Sequence, residues 1–398
     1  MRKLILFLSI LSVNRYAVSQ SLTDNQLGSG LHFESKDQNY LFDLGGVLLP
    51  HISFEFMEGE DFQLYYGAKR TFFDFAASAL DEGVKGYFLT DFTSSTPLLE
   101  AWVSYSPQKK LVFTMGQMKS IANNREMLIS EPYLALFDRS LLSESFNLTG
   151  REFGLSVSYQ LGSSKFALVP QVQITSGDGL NSFGQDSRDV DLGGLKYAAR
   201  LNLYPFGLFK EGQLNSIYDY LYENKLKLLF GASGSYNDGA SQSVGEGHGD
   251  FYLFNSLGQV MLPDYRKLNF DFVSKYKGIS LLAEYSISTA TGLENLYTES
   301  LIQALEPMEI ATYLSLGSGL STHIHYTTKS GYSIGLVYVQ LEAEFDRDDS
   351  ILKNSNSKTL VFSKRLANSS LTLQNSISII NLDSQQIIQN QCCIQFCF

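Results

Sequence analysis

The chain lacks any hydrophobic run long enough to cross a membrane as a helix. Its most apolar stretch, Leu4–Val13, falls well short of the ~20 residues a spanning helix needs. That stretch follows Arg2 and Lys3 and precedes Ala17-Val18-Ser19. A positive start, a short apolar core and small residues read as a secretory leader over residues 1–19, cleaved before Gln20, with one domain over 20–398. Cysteine is scarce: Cys392, Cys393 and Cys397 all sit in the last few residues. In an extended strand Cys393 and Cys397 lie about 13 Å apart, too far for a disulfide, and Cys392 and Cys393 face opposite ways. They read as small apolar residues of a strand. Basic charge is also scarce. Removal of Arg2, Lys3 and Arg15 with the leader leaves 27 basic residues against 41 acidic ones, a net charge of −14. That balance argues against a nucleic-acid partner. Histidine occurs five times, as His32, His51, His248, His323 and His325. His323 and His325 alternate onto one strand face, but two ligands do not make a metal site. No Ser/His/Asp spacing appears either. The segment Gly245–Asp250 is glycine-rich without a strand-to-helix context, so it reads as flexible loop. No catalytic residue, cofactor or metal is therefore expected, and the chain does not read as an enzyme.

What the chain has is apolar and aromatic residues in alternation. It is 44% apolar, with 28 Phe and 23 Tyr, at a mean hydropathy of −0.06. Period-two alternation joined by short turns predicts antiparallel strands. Sixteen such stretches are predicted: Tyr40–Phe56, Phe62–Ala79, Val84–Thr90, Leu99–Tyr105, Lys110–Gly116, Glu152–Gln160, Lys165–Thr175, Gly194–Tyr204, Lys225–Tyr236, Lys267–Tyr276, Ile279–Ser288, Leu320–Thr328, Tyr332–Leu341, Lys358–Leu366, Ser370–Ile380 and Asn390–Phe398. Leu99, Ala101, Val103 and Tyr105 share one face of their stretch, and Glu100, Trp102 and Ser104 share the other.

The connections segregate by length. Short turns at 80–84, 106–109, 162–164, 277–278, 329–331 and 367–369 fall on one side. Long loops at 118–150, 176–193, 237–266, 289–319 and 342–357 fall on the other. Tyr313–Leu316 is read as loop, because counting it as a strand would break that segregation. The exception is Pro205–Asn224, where Leu214, Ile217, Tyr218 and Leu221 fall at helical spacing and predict a short helix. This pattern describes an all-β chain: a transmembrane antiparallel β-barrel of about 16 strands, with short periplasmic turns and long extracellular loops. The terminal Phe398, preceded in alternation by Phe396, Ile394 and Cys392, fits a last strand addressed to the outer-membrane insertion machinery. The expected location is the bacterial outer membrane, with the lipid bilayer as partner.

Several segments resemble the phosphate-selective porins O and P of Bacteroidetes-type outer membranes. They are Gly67-Ala-Lys-Arg-Thr-Phe-Phe-Asp-Phe, Glu100-Ala-Trp-Val-Ser-Tyr, Thr114-Met-Gly-Gln-Met-Lys, Phe137-Asp-Arg-Ser-Leu and Gly150-Arg-Glu-Phe-Gly-Leu. Tyr197–Gly207 and Leu262-Pro-Asp-Tyr-Arg-Lys extend the likeness more weakly, over most of residues 40–345. The resemblance implies a sixteen-stranded barrel, usually a homotrimer, that passes anions through a lumen narrowed by an inward-folded loop. It makes Met118–Gly150 that constricting loop, with Lys119, Arg125, Arg139 and Arg151 as its basic candidates. Ser130 is positioned to cap a helix over Glu131–Leu142, with Leu134, Phe137 and Leu141 on one side. Arg139 has Asp138 and Glu144 nearby as partners. The arginine ladder and lysine cluster of anion-selective members do not map residue by residue onto this chain.

Taking each apolar strand face as lipid-facing leaves the charges of the other face toward the lumen. The basic pore-lining candidates are Arg70, Lys110, Lys165, Lys196, Arg200, Lys225, Lys227, Lys267 and Lys275, with Lys277 and Arg365 also on that face. The acidic ones are Asp74, Glu100, Glu152, Asp271 and Glu284. Basic exceeds acidic on that wall although the whole chain is acidic, and a solute feels the lining most strongly. Two functions follow. The first is a passive water-filled channel for small anions, phosphate among them. The alternative is a barrel with an incidental pore, acting through its surface loops in adhesion or surface assembly.

Overall fold

A computed structural model describes residues 30–398 except 37–38, 58, 60, 80–82, 178, 181–192, 211–213, 215, 248, 300–302, 367–369 and 383–384. The expected leader, residues 1–19, lies outside the described residues. Eighteen strands are described. The first nine are β1 (Leu31–Glu34), β2 (Tyr40–Met57), β3 (Gln63–Ala79), β4 (Val84–Asp91), β5 (Leu98–Gln108), β6 (Leu111–Lys119), β7 (Arg151–Tyr159), β8 (Leu161–Ser163) and β9 (Phe166–Thr175). The rest are β10 (Lys196–Tyr204), β11 (Lys227–Asn237), β12 (Asp264–Tyr276), β13 (Ile279–Thr291), β14 (Gly317–Thr327), β15 (Tyr332–Ala343), β16 (Ser355–Leu366), β17 (Leu371–Leu382) and β18 (Gln385–Cys397).

The wall is a closed antiparallel barrel of sixteen strands, made by β2–β7 and β9–β18 in sequence order. Antiparallel pairing of β18 with β2 closes it. Closure leaves no open edge, so every wall strand finds partners on both sides, as a wall in lipid requires. β8 is a stub on β9. β1 pairs with β2 at Leu31–Leu44 through Glu34–Leu41, just past where Cys397 of β18 meets Val47. The N-terminal segment thus continues the position that the C-terminal strand vacates.

Period two sets the sidedness. Along β15, Tyr332, Ile334 and Leu336 point outward, with Leu336 60% exposed, while Val337 and Val339 point inward and are buried. Similar outward rows run along β12 with Leu268 and Phe270 and along β18 with Ile394 and Phe396. So broad an apolar exterior suits a bilayer and not water. Cys393 and Cys397 lie inward and Cys392 outward, and all three are free.

Several strands run further toward the long-loop end than alternation predicts. β12 starts at Asp264 and not Lys267, β14 at Gly317 and not Leu320, β16 at Ser355 and not Lys358, and β18 at Gln385 and not Asn390. Above the hydrocarbon layer a strand can stay paired without an apolar face, so its sequence signal fades before its hydrogen bonds do. Leu99 is a correction. A bulge between Leu89 and Thr90 of β4 leaves it unpaired on β5, and it packs with the buried Val47, Phe72 and Leu89. Tyr313–Leu316 is loop as expected, following a short 3-10 helix over Pro307–Thr312. Of the helix expected within Pro205–Asn224, Leu214 lies in a 3-10 turn, and residues 216–224 are not helical. In that later part the backbone bonds go elsewhere: the Ile217 N–H donates to Tyr133 O at 3.2 Å, and Lys275 Nζ donates to the carbonyls of Ser216 and Tyr218 at 2.6 and 2.9 Å. The buried Ile217 and Tyr218 join the apolar cluster that holds Leu134 and Leu229.

The outward face makes a direct prediction. Leu336→Arg should cost about 2–4 kcal/mol in a bilayer if Leu336 lies near mid-membrane. Reduced folding yield into vesicles, read by the heat-dependent gel shift of barrels, checks it.

Candidate functional site: the occupied lumen

The segment between β6 and β7 enters the barrel and meets its wall on several sides. Phe137 packs with Leu49 of β2 and Cys393 of β18. Asp138 pairs with Lys69 of β3. Leu142 and Phe146 pack on Val337, Val339 and Leu341 of β15 and Val361 of β16. The expected helix over Glu131–Leu142 does not form. In its place are a helical turn at Arg125–Leu128, a 3-10 turn at Glu131–Tyr133 and a short helix at Leu141–Phe146. The cap is Ser140, whose side chain accepts from the Ser143 N–H, and not Ser130. Two carbonyls that a continuous helix would use are already taken: Gln395 donates to that of Pro132 and Gln374 to that of Ala135. Arg139 reaches back to the carbonyls of Glu126 and Ile129. Wall side chains compete with the helical ladder and win, because this backbone has little water left to satisfy it.

The basic candidates divide into three groups. The deep group projects inward as alternation predicts, but into packed surroundings. Arg200 is 2% exposed and Lys196, Lys267 and Lys275 are 1–2% exposed. Arg200 pairs with Asp271, and Arg125 of the loop pairs with the same carboxylate at 2.8 Å. Gly231 of β11 faces Asp271, and a Cβ there would lie 2.3 Å from both carboxylate oxygens. Lys196 pairs with Glu152 and donates to Gly245 O at 3.1 Å. Lys267 reaches Phe146 O at 2.8 Å, Asn147 Oδ1 at 3.1 Å and Glu246 Oε1 at 3.3 Å.

The second group lies at the short-turn rim. Lys110 precedes β6 and donates to Gly162 O at 2.8 Å. Lys165 and Lys225 are exposed residues just before β9 and β11, and Lys227 donates to Phe206 O at 2.8 Å. Alternation assigned their side of the wall but not their height along it. The third group surrounds the constriction. Arg139 and Arg151 both reach Glu131 Oε1 at 2.9 Å, and Arg151 Nε also meets Glu100 Oε1 at 3.0 Å. Arg139 therefore pairs with Glu131, not with Asp138 or Glu144. Lys119 Nζ donates to Leu128 O at 3.2 Å, and Arg70 lies 3.7 Å from Asp91 Oδ2. Between this group and β2–β5 lies a cavity of about 370 Å³ lined by Asp74, Tyr87, Glu100, Lys119, Glu131 and Tyr133, among others.

The acidic partners in the loops carry no periodic signal and were not anticipated. Glu131 is one and Glu246 is another. The Gly245–Asp250 segment is not a free loop: buried Glu246 accepts the N–H groups of Leu148, Thr149 and Gly150 at 3.0, 3.0 and 2.7 Å. Burial alone raises both carboxyls. Arg151, Arg139 and Lys119 overcome it and hold Glu131 well below its ordinary range. Lys267, Lys196 and the Gly150 and Leu148 amides hold Glu246 below its own.

Two outcomes follow. Asp271→Asn leaves Arg125 and Arg200 buried with no full counter-charge, a loss of about 3–5 kcal/mol by analogy with other broken buried pairs. Trypsin should then cleave the 120–150 segment of the detergent-solubilised barrel, whereas the unmodified chain should resist it. A depressed Glu246 gives stability that is present above glutamate's usual 4.5 and is lost as pH falls through the lower folded value. Hydrogen exchange at 148–150, corrected for the intrinsic rate, should stay slow from pH 7 to pH 5 and rise only in stronger acid.

No family model and no curated protein matches this sequence. Solved structures do. The chain is similar to the outer membrane channel DcaP of Acinetobacter baumannii, with a TM-score of 0.55 at 12% identity over 93% of this chain and 100% of that one. It is similar to an anion-selective porin from Comamonas acidovorans, with a TM-score of 0.55 at 8% identity over 90% and 100%. It is also similar to OmpT of Vibrio cholerae in its trimer form, with a TM-score of 0.54 at 12% identity over 90% and 100%. At such identities the likeness is one of fold: the chain has the closed antiparallel β-barrel architecture of these outer-membrane proteins.

Proposed function

We propose that the chain is a passive outer-membrane channel for small hydrophilic solutes, with a modest preference for anions, phosphate among them. The carrying observation is the inward loop and the charged cavity beside it, which Lys119, Glu131, Glu100 and Asp74 line together. A narrow zone that sets cations and carboxylates against one another orders a passing solute by charge without holding it tightly, as conduction requires. The anion preference rests on the basic excess of the lumenal wall and on the resemblance to phosphate-selective porins. It is modest because Arg139 and Arg151 are balanced by Glu131 and Glu100, and the deep lysines are held by partners and not by mobile ions. Homotrimeric assembly belongs to the same proposal, and the trimer form of the similar Vibrio cholerae protein supports it.

Reversal potential across a planar bilayer in a salt gradient tests the proposal. The unmodified channel should favour chloride over potassium, and Lys119→Gln should move the reversal potential toward cations. Lys225→Gln, at the exposed rim, should leave it in place. Cation preference in the unmodified protein would remove the anion reading and leave the channel. Purified, folded protein that conducts nothing would remove both.

A further inference from the structure

Where the constricting loop meets β13 and β14, three side chains converge: Glu126 of the loop, Glu284 of β13 and His323 of β14. Each offers a ligand atom, and these atoms all lie within 4.8 Å of one another. All three are buried, at 0%, 2% and 0% exposure. Each carboxylate is anchored by one oxygen and free at the other. Glu126 Oε2 accepts from the Ser140 N–H and from the hydroxyls of Ser140 and Ser143, whereas Oε1 has no hydrogen-bond partner. Glu284 Oε1 accepts from the Glu126 N–H at 2.8 Å and from Asn124 Nδ2 at 3.2 Å, whereas Oε2 has none. His323 Nε2 lies 3.8 Å from Glu126 Oε1 and 3.0 Å from Ser321 Oγ, and its Nδ1 is unpartnered.

Two buried carboxylates with unsatisfied oxygens need a cation or a shared proton. Among the described residues no lysine or arginine pairs with either one, and Arg125 is committed to Asp271. We infer that Glu126, Glu284 and His323 form a binding site for a divalent transition-metal ion, zinc being the best match, that fastens the constricting loop to the wall. One imidazole and two carboxylates suit zinc, with a fourth position left for water. Calcium takes six to eight oxygens and magnesium retains several waters, neither of which this enclosed site supplies. The anchored oxygens act as an outer shell that aims the free ones. Tetrahedral zinc with donors at about 2.0–2.1 Å sets them roughly 3.4 Å apart, a distance that small side-chain rotations reach. The site needs the loop in its observed position and does not depend on which solute the channel passes.

The probe is zinc itself. The refolded full chain in detergent, stripped with chelator, is titrated calorimetrically with zinc chloride, with calcium and magnesium as controls. One zinc per chain should bind, and the controls should not. Glu284→Gln and His323→Leu should each weaken binding by at least the roughly 100-fold that loss of an outer-shell group can cost, in protein that still shows the heat-dependent gel shift. If a variant fails to assemble, X-ray absorption on the unmodified zinc-loaded chain decides: nitrogen and oxygen donors at about 2.0–2.1 Å support the site. Sulfur donors would assign the ion to cysteine and overturn it. So would the absence of zinc binding, which leaves Glu126 and Glu284 sharing a proton, or binding that both variants leave unchanged.

Discussion

An ionised side chain withdrawn from water must meet a counter-charge or a full set of hydrogen bonds, and the interior of this barrel is arranged around that requirement. The wall alone could not meet it. Its inward lysines and arginines stand on neighbouring strands, and Lys196, Arg200 and Lys267 face some partners that only loops supply. Asp271 serves Arg200 from the wall, but the same carboxylate also receives Arg125 from the loop. Glu246 holds Lys267 while it fastens the amides of Leu148, Thr149 and Gly150. The loop's position is thus a consequence of charge pairing as much as of the apolar contacts made by Phe137, Leu142 and Phe146.

The same requirement explains what alternation could and could not disclose. A strand with lipid on one side and the lumen on the other writes its sidedness into every second residue. The sixteen wall strands and the inward direction of Arg200 and Lys275 were therefore readable in advance. Height along the wall was not, because Lys110, Lys165 and Lys225 obey the same alternation at the rim that Lys196 obeys deep inside. Leu99 misled because a bulge reverses the pleat locally, and no residue type marks it. The helix expected at Glu131–Leu142 had the right spacing. It failed because Gln395 and Gln374 claim the carbonyls of Pro132 and Ala135, and Lys275 likewise takes those of Ser216 and Tyr218 in the 205–224 connection. Such competition comes from residues far away in the chain and leaves no local trace.

Glu126 and Glu284 show the limit most clearly. His323 and His325 stand out as a pair on one strand face, and alone they amount to little. The two carboxylates that complete a ligand set around His323 come from a loop and a neighbouring strand, and only the folded chain unites them. His325, two residues on, meets Tyr218 with ring centroids 4.9 Å apart and belongs to the packing of the 205–224 connection. One face of β14 thus serves both inward segments, the loop from one end and the connection from the other.

If charge pairing and packing hold the 120–150 segment across the lumen, that segment sets how much current the barrel carries. Single-channel conductance of the unmodified chain should be compared with that of a chain whose residues 122–148 are replaced by a short Gly-Ser link, both verified as folded barrels. The structure predicts small unitary steps for the unmodified chain and a several-fold larger conductance once the segment is gone. Equal conductance in the two proteins would mean that the segment does not occupy the path, and would contradict the account.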